Sequence, residues 1–317
     1  MKPDKQAANA RPDLVVRLRD RRLNSKPANR PRRRPPNCPI KYTLQELNPM
    51  SAKTWLITGA SSGFGRQLAE TVAHRGDHVV ATGRRSDALN ELAEQNSRIS
   101  TVTADVTTPE GIAAIVAAVE TAGGVDVLVN NAGYGVFGAV EQISEDAARA
   151  VFETHVFGPL AIIRAVLPSL RSRRGRIINL SSELGAYAWP GSGLYSASKG
   201  ALELISEALA LELAPTGVTS TAIQPGTYGT GFIANAVVEA PSEVYAPSVG
   251  TQLAKIGQLG PDAVGDPQDV VEAILFAADA ANPPIRLAVG VEALTTIRES
   301  LQKQLRELDA VTGVMQS

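Results

Sequence analysis

The segment Thr58-Gly59-Ala60-Ser61-Ser62-Gly63-Phe64-Gly65 constrains this chain more than any other. It follows a short apolar run, Thr54 to Thr58, and opens a helical pattern from Gly63 to Arg75, so three glycines stand at a strand-to-helix turn. Glycine permits a tight turn and lets backbone N–H groups approach an anion that the helix N-terminus stabilises. Strand, glycine loop and helix in that order predict a dinucleotide site, with Gly59, Ser61, Ser62, Gly63, Phe64 and Gly65 around the pyrophosphate. The same residues also match G-x-S-x-G, the turn that carries a hydrolase serine. A serine hydrolase of that kind places its histidine late, whereas His74, His78 and His155 leave the last 162 residues without one. A phosphate-binding P-loop fails as well, because neither Lys-Ser nor Lys-Thr follows the glycines.

From Lys53 onward, short β-branched runs alternate with longer amphipathic or Ala-rich stretches. Strands are predicted at 54–58, 78–82, 99–104, 125–129, 176–180, 218–223 and 285–289, and helices at 63–75, 86–95, 109–122, 144–171, 194–213 and 267–280. Several strands are apolar on both faces, as Ile177-Ile178-Asn179-Leu180 is, which belongs inside a parallel sheet covered on both sides. The predicted fold is α/β: a single doubly wound Rossmann domain of about seven parallel strands with helices on both faces, spanning residues 50–317. Residues 227–260 break the rhythm, with no clear period and with Pro241 and Pro247, and are expected to form a substrate lid. From Val291 to Leu308 the spacing of Leu294, Ile297, Leu301, Leu305 and Leu308 predicts a helix packed on the sheet or on a partner subunit.

The formal charge of −1 hides an uneven distribution. Residues 1–49 hold 13 Lys or Arg against 4 Asp or Glu, together with 8 of the 20 prolines, so the remainder of the chain is acidic. A segment so basic and Pro-rich buries too little apolar surface to offset its ordering entropy, and it is expected to be a disordered, solvated extension, with Met50 as an alternative start. A polyanion contact and a targeting role are the other readings of this arm. It lacks interleaved aromatics, and no nucleic-acid partner is expected. It has no apolar h-region of a secretory signal, no stretch approaches 18 consecutive apolar residues, and the expected location is the cytoplasm without a membrane partner. The lone Cys38 rules out a disulfide framework and a thiolate zinc site, and no metal is expected.

After the second strand the chain reads Thr82-Gly83-Arg84-Arg85. A carboxylate there would bind the ribose 2′-hydroxyl of NAD, whereas Arg84 and Arg85 suit a 2′-phosphate, so the predicted cofactor is NADP. Asp105 and Val106, after the third strand, are expected at the adenine edge. Tyr195 and Lys199 lie four apart at the start of a helical pattern and share one face. An ammonium beside a phenol favours the phenolate, so Lys199 is expected to bring Tyr195 toward working pH as a proton donor and acceptor for a carbonyl or alcohol.

These motifs together resemble the short-chain dehydrogenase/reductase family over residues 53 to about 290, nearest the branch of hydroxysteroid-dehydrogenase-like bacterial reductases. The resemblance rests on the glycine loop, Asn130-Asn131-Ala132-Gly133, Ser182 thirteen residues before the tyrosine, Tyr195-Ser196-Ala197-Ser198-Lys199, and Pro225-Gly226-Thr227-Tyr228-Gly229-Thr230. It implies that Ser182 orients the substrate oxygen, that Tyr195 is the acid/base, and that Lys199 holds the nicotinamide ribose. It also implies cofactor contacts from Asn131, Ala132, Gly133, Pro225, Gly226, Thr227 and Thr230, and a homodimer or homotetramer through the helices at 144–171 and 194–213. The sequence departs from the family at His155, where the pattern has an asparagine that helps hold a relay water; His155 is expected either to donate in that relay or to be packed there. The implied substrate is a small, moderately apolar ketone or secondary alcohol, in a pocket walled by Leu184, Tyr187, Trp189, Leu194, Tyr228, Phe232, Tyr134 and Phe137. A non-catalytic dinucleotide sensor on the same fold is the rival reading.

Overall fold

The computed structural model describes residues 52–259 and 264–315. The basic arm, and Gly260 at the end of the irregular stretch, lie outside the described residues. Seven strands form one parallel sheet: β1 (Thr54–Thr58), β2 (His78–Gly83), β3 (Ile99–Thr103), β4 (Val127–Asn130), β6 (Arg176–Leu180), β7 (Thr219–Pro225) and β9 (Arg286–Val289), in the order β3-β2-β1-β4-β6-β7-β9. β1 is the central strand at which the order reverses, with Leu56 opposite Val80 of β2 on one side and Leu128 of β4 on the other. In a doubly wound sheet that reversal opens a crevice at the carboxyl ends of the strands, where the glycine loop begins.

Successive side chains of a strand point to opposite faces, and the two cores follow from that period. Trp55 and Ile57 pack with Leu68 and Val72 of α1 (Gly63–His74), Leu89 and Leu92 of α2 (Ser86–Gln95), and Val270 and Ile274 of α8 (Pro267–Asp279). Leu56 and Val80 pack on the other face with Ile115 and Val119 of α3 (Pro109–Thr121) and with Ile162, Ile163, Val166 and Leu170 of α5 (Gly158–Arg173). Each fully buried Leu or Ile contributes about 1.5–3 kcal/mol, so strands apolar on both faces drive helices onto both.

The helix expected over 144–171 is interrupted. α4 (Glu145–Phe152) passes into a π-helical turn, Glu153–Phe157, before α5 continues. The wider turn carries His155 and Val156 inward while Phe157 faces out. Among the described residues this 145–173 run is the one helix long and apolar enough to cross a membrane by length and composition, and its apolar face belongs to the core just described.

The irregular stretch is also more ordered than its sequence implies. Val237–Val238 (β8) pairs in parallel with Val136–Phe137 (β5), and α7 (Thr251–Gly257) follows a π-helical turn at Ala246–Gly250. Two-residue strands have no period to read, so only tertiary pairing reveals them. α6 (Gly193–Leu213) runs behind β6 and β7, and α9 (Val291–Met315) closes the chain. Ala293 of α9 is buried, whereas Leu301, Leu305 and Leu308 are exposed, so of the two expected packing surfaces the sheet takes only the first part of this helix.

Candidate active site

The sheet's carboxyl end opens into a cleft of about 1090 Å³. At one end Gly59 and Gly63 adopt left-handed φ values of 69° and 56°, which only glycine takes without strain. Ser62 precedes α1 in extended conformation without a side-chain cap bond, so the first-turn N–H groups of the helix are not tied up by a capping side chain. Gly65 lies behind the loop instead of lining the cleft: a Cβ there would sit 2.4 Å from Asn131 Nδ2 and 2.6 Å from the Gly59 carbonyl oxygen. Asn131 braces this turn, donating from Nδ2 to the carbonyl oxygens of Thr58 at 2.8 Å and Gly59 at 3.2 Å. The Thr58 hydroxyl accepts from the N–H groups of Asn131 and Ala132, both at 3.0 Å, and so stitches the β1 and β4 loops together. Thr58 stands in the motif but was not expected at the site; its hydroxyl at the strand end was the available signal.

Ser61, Ser62, Gly63, Phe64, Arg84, Arg85, Asp105, Val106, Ala132, Gly133, Pro225, Gly226, Thr227 and Thr230 all line the cleft, as do Gly59 and Asn131. Arg85 lies over the glycine loop, its Nη2 donating to the Ser61 carbonyl and hydroxyl oxygens at 3.2 Å. Arg84 Nη1 approaches Asp105 Oδ2 at 3.9 Å and is largely exposed. Burial works against ionisation of Asp105, but two donors from Thr107 and the charge of Arg84 prevail and hold the carboxyl below its usual range. The geometry fits a dinucleotide: a glycine cradle at a helix N-terminus, flanked by two guanidinium groups.

The other end of the cleft gathers Ser182, Tyr195 and Lys199. Ser182 leaves β6 in extended conformation and its hydroxyl caps the Leu184 N–H at 3.2 Å. Tyr195 and Lys199 sit on the first turns of α6, and both are buried. The Tyr195 ring is wedged between Phe137 at 5.5 Å and Phe232 at 5.7 Å, centroid to centroid, and Phe137 stacks on Trp189. Burial drives the phenol's pKa far up, the Ser182 hydrogen bond opposes this, and the Glu183 charge adds to the rise. Lys199 Nζ donates to the Leu180 carbonyl at 2.7 Å and stands 5.8 Å from the Tyr195 ring centroid. Burial pushes the lysine down to about 8, against the pull of Glu203. The i,i+4 spacing places the pair as expected, but desolvation of both groups outweighs the expected lowering of the phenol by the ammonium.

Glu203, one turn beyond Lys199, is buried and satisfied: it accepts from Ser181 Oγ at 2.6 Å, Gln224 Nε2 at 2.9 Å and Arg286 Nε at 3.3 Å. His155 does not reach the cleft; it lies behind Gly133, between Tyr134 and Ser198. Of the expected pocket wall, Leu194 packs instead with Val136, Ile143 and Val151, because the helix start turns it away. Leu184, Tyr187, Trp189, Tyr228, Phe232, Tyr134 and Phe137 do line the cleft, joined by Gln252, Lys255, Ile256 and Leu259 from the stretch that lacked a sequence period.

Fold and cleft together define a doubly wound protein with a candidate dinucleotide site. The short chain dehydrogenase family model matches residues 53–239, and the chain belongs to that family. A curated relative, 3-ketodihydrosphingosine reductase from Bacteroides thetaiotaomicron, is 37% identical over 246 residues, covering 76% of this chain and 89% of the relative. The solved structure of a short-chain dehydrogenase from Streptomyces avermitilis is 40% identical with a TM-score of 0.78, covering 84% of this chain and 98% of that one. A short chain dehydrogenase from Burkholderia cenocepacia in complex with NADP is 28% identical with a TM-score of 0.64, covering 82% and 96%. The family binds a nicotinamide cofactor and acts on CH–OH or carbonyl groups of small molecules.

Proposed function

We propose that this chain is an NADP(H)-dependent reductase or dehydrogenase that interconverts a moderately apolar ketone and its secondary alcohol, with Tyr195 as acid/base. The reading rests on one observation: Ser182, Tyr195 and Lys199 converge in the cleft whose far end is the glycine cradle beneath Arg84 and Arg85. When bound, the nicotinamide gives or takes the hydride. Tyr195 Oη passes the proton to or from the substrate oxygen, and the Ser182 hydroxyl orients that oxygen. Lys199 contributes positive charge beside the phenol and a donor toward the cofactor ribose. The aromatic wall from Phe137, Trp189 and Phe232 keeps water from the reacting carbon and favours apolar substituents. The relative from Bacteroides is, by its name, a reductase of a keto group, which supports the reductive direction of that interconversion. Oxidation of NADPH across a carbonyl panel tests the proposal; if wild type is inert while still binding NADPH, a dinucleotide sensor replaces it.

The arginines carry the cofactor preference. Arg84→Ala and Arg85→Ala each raise the KM for NADPH by about 10- to 100-fold and leave that for NADH nearly unchanged, as expected for one charge-assisted bond worth about 1.5–3 kcal/mol. Equal losses for both dinucleotides would assign the arginines to the loop and not to the 2′-phosphate.

Lys199 sets a pH dependence. With its ammonium predominant below about pH 8, kcat/KM for reduction falls as pH rises through that value, and Lys199→Arg moves the limb upward. The sign for stability is opposite. The unfolded lysine keeps its proton to about 10.5 while the folded one releases it near 8, so the unfolded state binds more protons in that window and this group adds stability as pH rises. Activity lost above pH 8 with no parallel fall in melting temperature is the expected result, checked by kinetics and calorimetry on the same samples.

The homo-oligomer remains part of the proposal, supported by Leu204 and Leu211, seven residues apart on α6 and both mostly exposed. Gel filtration with light scattering checks it; a monomer would remove this element.

A further inference from the structure

His155 is a buried histidine in a π-helical turn, and both of its ring nitrogens have protein partners. Nε2 accepts from the Tyr134 N–H at 3.2 Å, so it carries no proton. Nδ1 lies 2.9 Å from Ser198 Oγ, whose own proton goes to the Tyr195 carbonyl oxygen at 2.7 Å. With the hydroxyl proton committed, Nδ1 must be the donor. The ring edge also meets the Tyr195 ring at 5.7 Å and 81°, and its other side leans on Tyr134.

We infer that His155 is a positioning residue: a neutral imidazole, protonated on Nδ1, that clamps the loop after β4 to helix α6 and thereby sets the Tyr195 ring. The inference rests on the reading of Tyr195 as acid/base. Three segments meet at this ring, and each is shaped to admit it. The π-turn carries residue 155 inward, Ser198 is a small residue at the helix contact, and Gly133 leaves room where a Cβ would stand 2.9 Å from Nε2. π-helical turns recur at functional sites because they redirect a side chain without ending the helix. The groups with titratable protons that face the imidazole are Tyr134, Tyr195 and Lys199, the last with Nζ 3.6 Å from the same Cβ position. An imidazolium would set an N–H against the Tyr134 N–H and a second cation beside Lys199. Burial and the Lys199 charge accordingly hold the ring well below its ordinary pKa. Such a ring does not carry protons through a relay; it holds the acid/base and the cofactor loop in register.

The clamp has two halves that two substitutions separate. Asparagine at 155 keeps a donor near the Nδ1 position toward Ser198 and loses the acceptor for Tyr134. Glutamine reaches the Nε2 position and keeps that acceptor while losing the Ser198 bond. His155→Gln therefore lowers kcat by about tenfold or more with a small change in the KM for NADPH, since α6 and the Tyr195 ring shift. His155→Asn raises the KM for NADPH by about tenfold with a smaller fall in kcat, since the Asn131–Gly133 loop loosens. Equal effects of both variants on both constants would reduce His155 to a packing residue and overturn the proposal. So would loss of a limb of the kcat–pH profile in either variant, which would mark a proton carrier. A second measurement needs no turnover: ¹⁵N-histidine NMR of the full chain, with the His155 signals identified by their loss in His155→Asn. A protonated Nδ1 and bare Nε2, unchanged over about pH 6 to 9, is expected; a titrating ring, or a proton on Nε2, overturns the proposal. If wild type proves inert toward every carbonyl, the functional reading fails while the NMR result still decides the clamp.

Discussion

Tyr195→Phe lowers kcat/KM for carbonyl reduction by about 10³-fold, within the range that a positioned general acid contributes, and leaves NADPH affinity within a factor of about three. The reasoning starts from the cage. Phenylalanine has the shape that Phe137, Phe232 and His155 already surround, so the substitution removes a hydroxyl and its Ser182 hydrogen bond and little else. The stability change stays near 1 kcal/mol, the net worth of one hydrogen bond. The phenol's raised pKa keeps it protonated at neutral pH, the state in which it would serve the proposed reduction as proton donor. Single-turnover rates measure the chemical step and a fluorescence titration measures NADPH binding. A mutant as fast as wild type would assign the proton to another donor and remove Tyr195 from its role.

Gly65→Ala is the substitution with the largest expected effect on the folded site. The added methyl would overlap Asn131 Nδ2 and the Gly59 carbonyl, and Asn131 cannot retreat without releasing its bonds to Thr58 and Gly59. Overpacking of this kind, with a hydrogen bond lost, costs about 3 kcal/mol. Because the displaced atoms are the backbone of the cradle, NADPH affinity falls by about 100-fold or more. Gly257→Ala is the control: a Cβ there meets nothing within 4 Å, so melting changes little or improves slightly through higher helix propensity. Denaturant unfolding and NADPH titration of the two variants separate the cases. If Gly65→Ala binds NADPH as wild type does, the close approach of α1 to Asn131 is not what shapes the cradle.

The parts of this protein legible in its sequence are those set by local rules. The bounds of β1, α2 and β6 coincide with the sequence reading because β-branched runs and turn residues delimit them. The glycine loop, the pair of arginines and the Tyr195–Lys199 spacing are contiguous or nearly so in the sequence, and, Gly65 apart, their residues line one cleft. Leu194 turns from the cleft toward Val136, Ile143 and Val151, because one residue's direction at a helix start depends on how α6 meets α4. The π-turn at Glu153–Phe157 is indistinguishable from plain helix in the sequence, since one extra residue per turn barely alters a hydrophobic period. β5 and β8, too short to show a period, exist through each other. The electrostatic sign also changed: spacing predicted a phenol lowered by its lysine, and burial moved the two groups in opposite directions.

By itself, then, the sequence determined the succession of the seven sheet strands and the main helices between them, the doubly wound class and the residue types of the candidate site, because covalent neighbours and periodic burial specify those. Only the tertiary structure decided which groups meet: Thr58 with the β4 loop, Glu203 with three strands' ends, and His155 with Tyr134 and Ser198. Contacts between residues 21 to 83 positions apart depend on packing in three dimensions, and burial, which sets the protonation of Tyr195, Lys199 and His155, is a property of the folded whole.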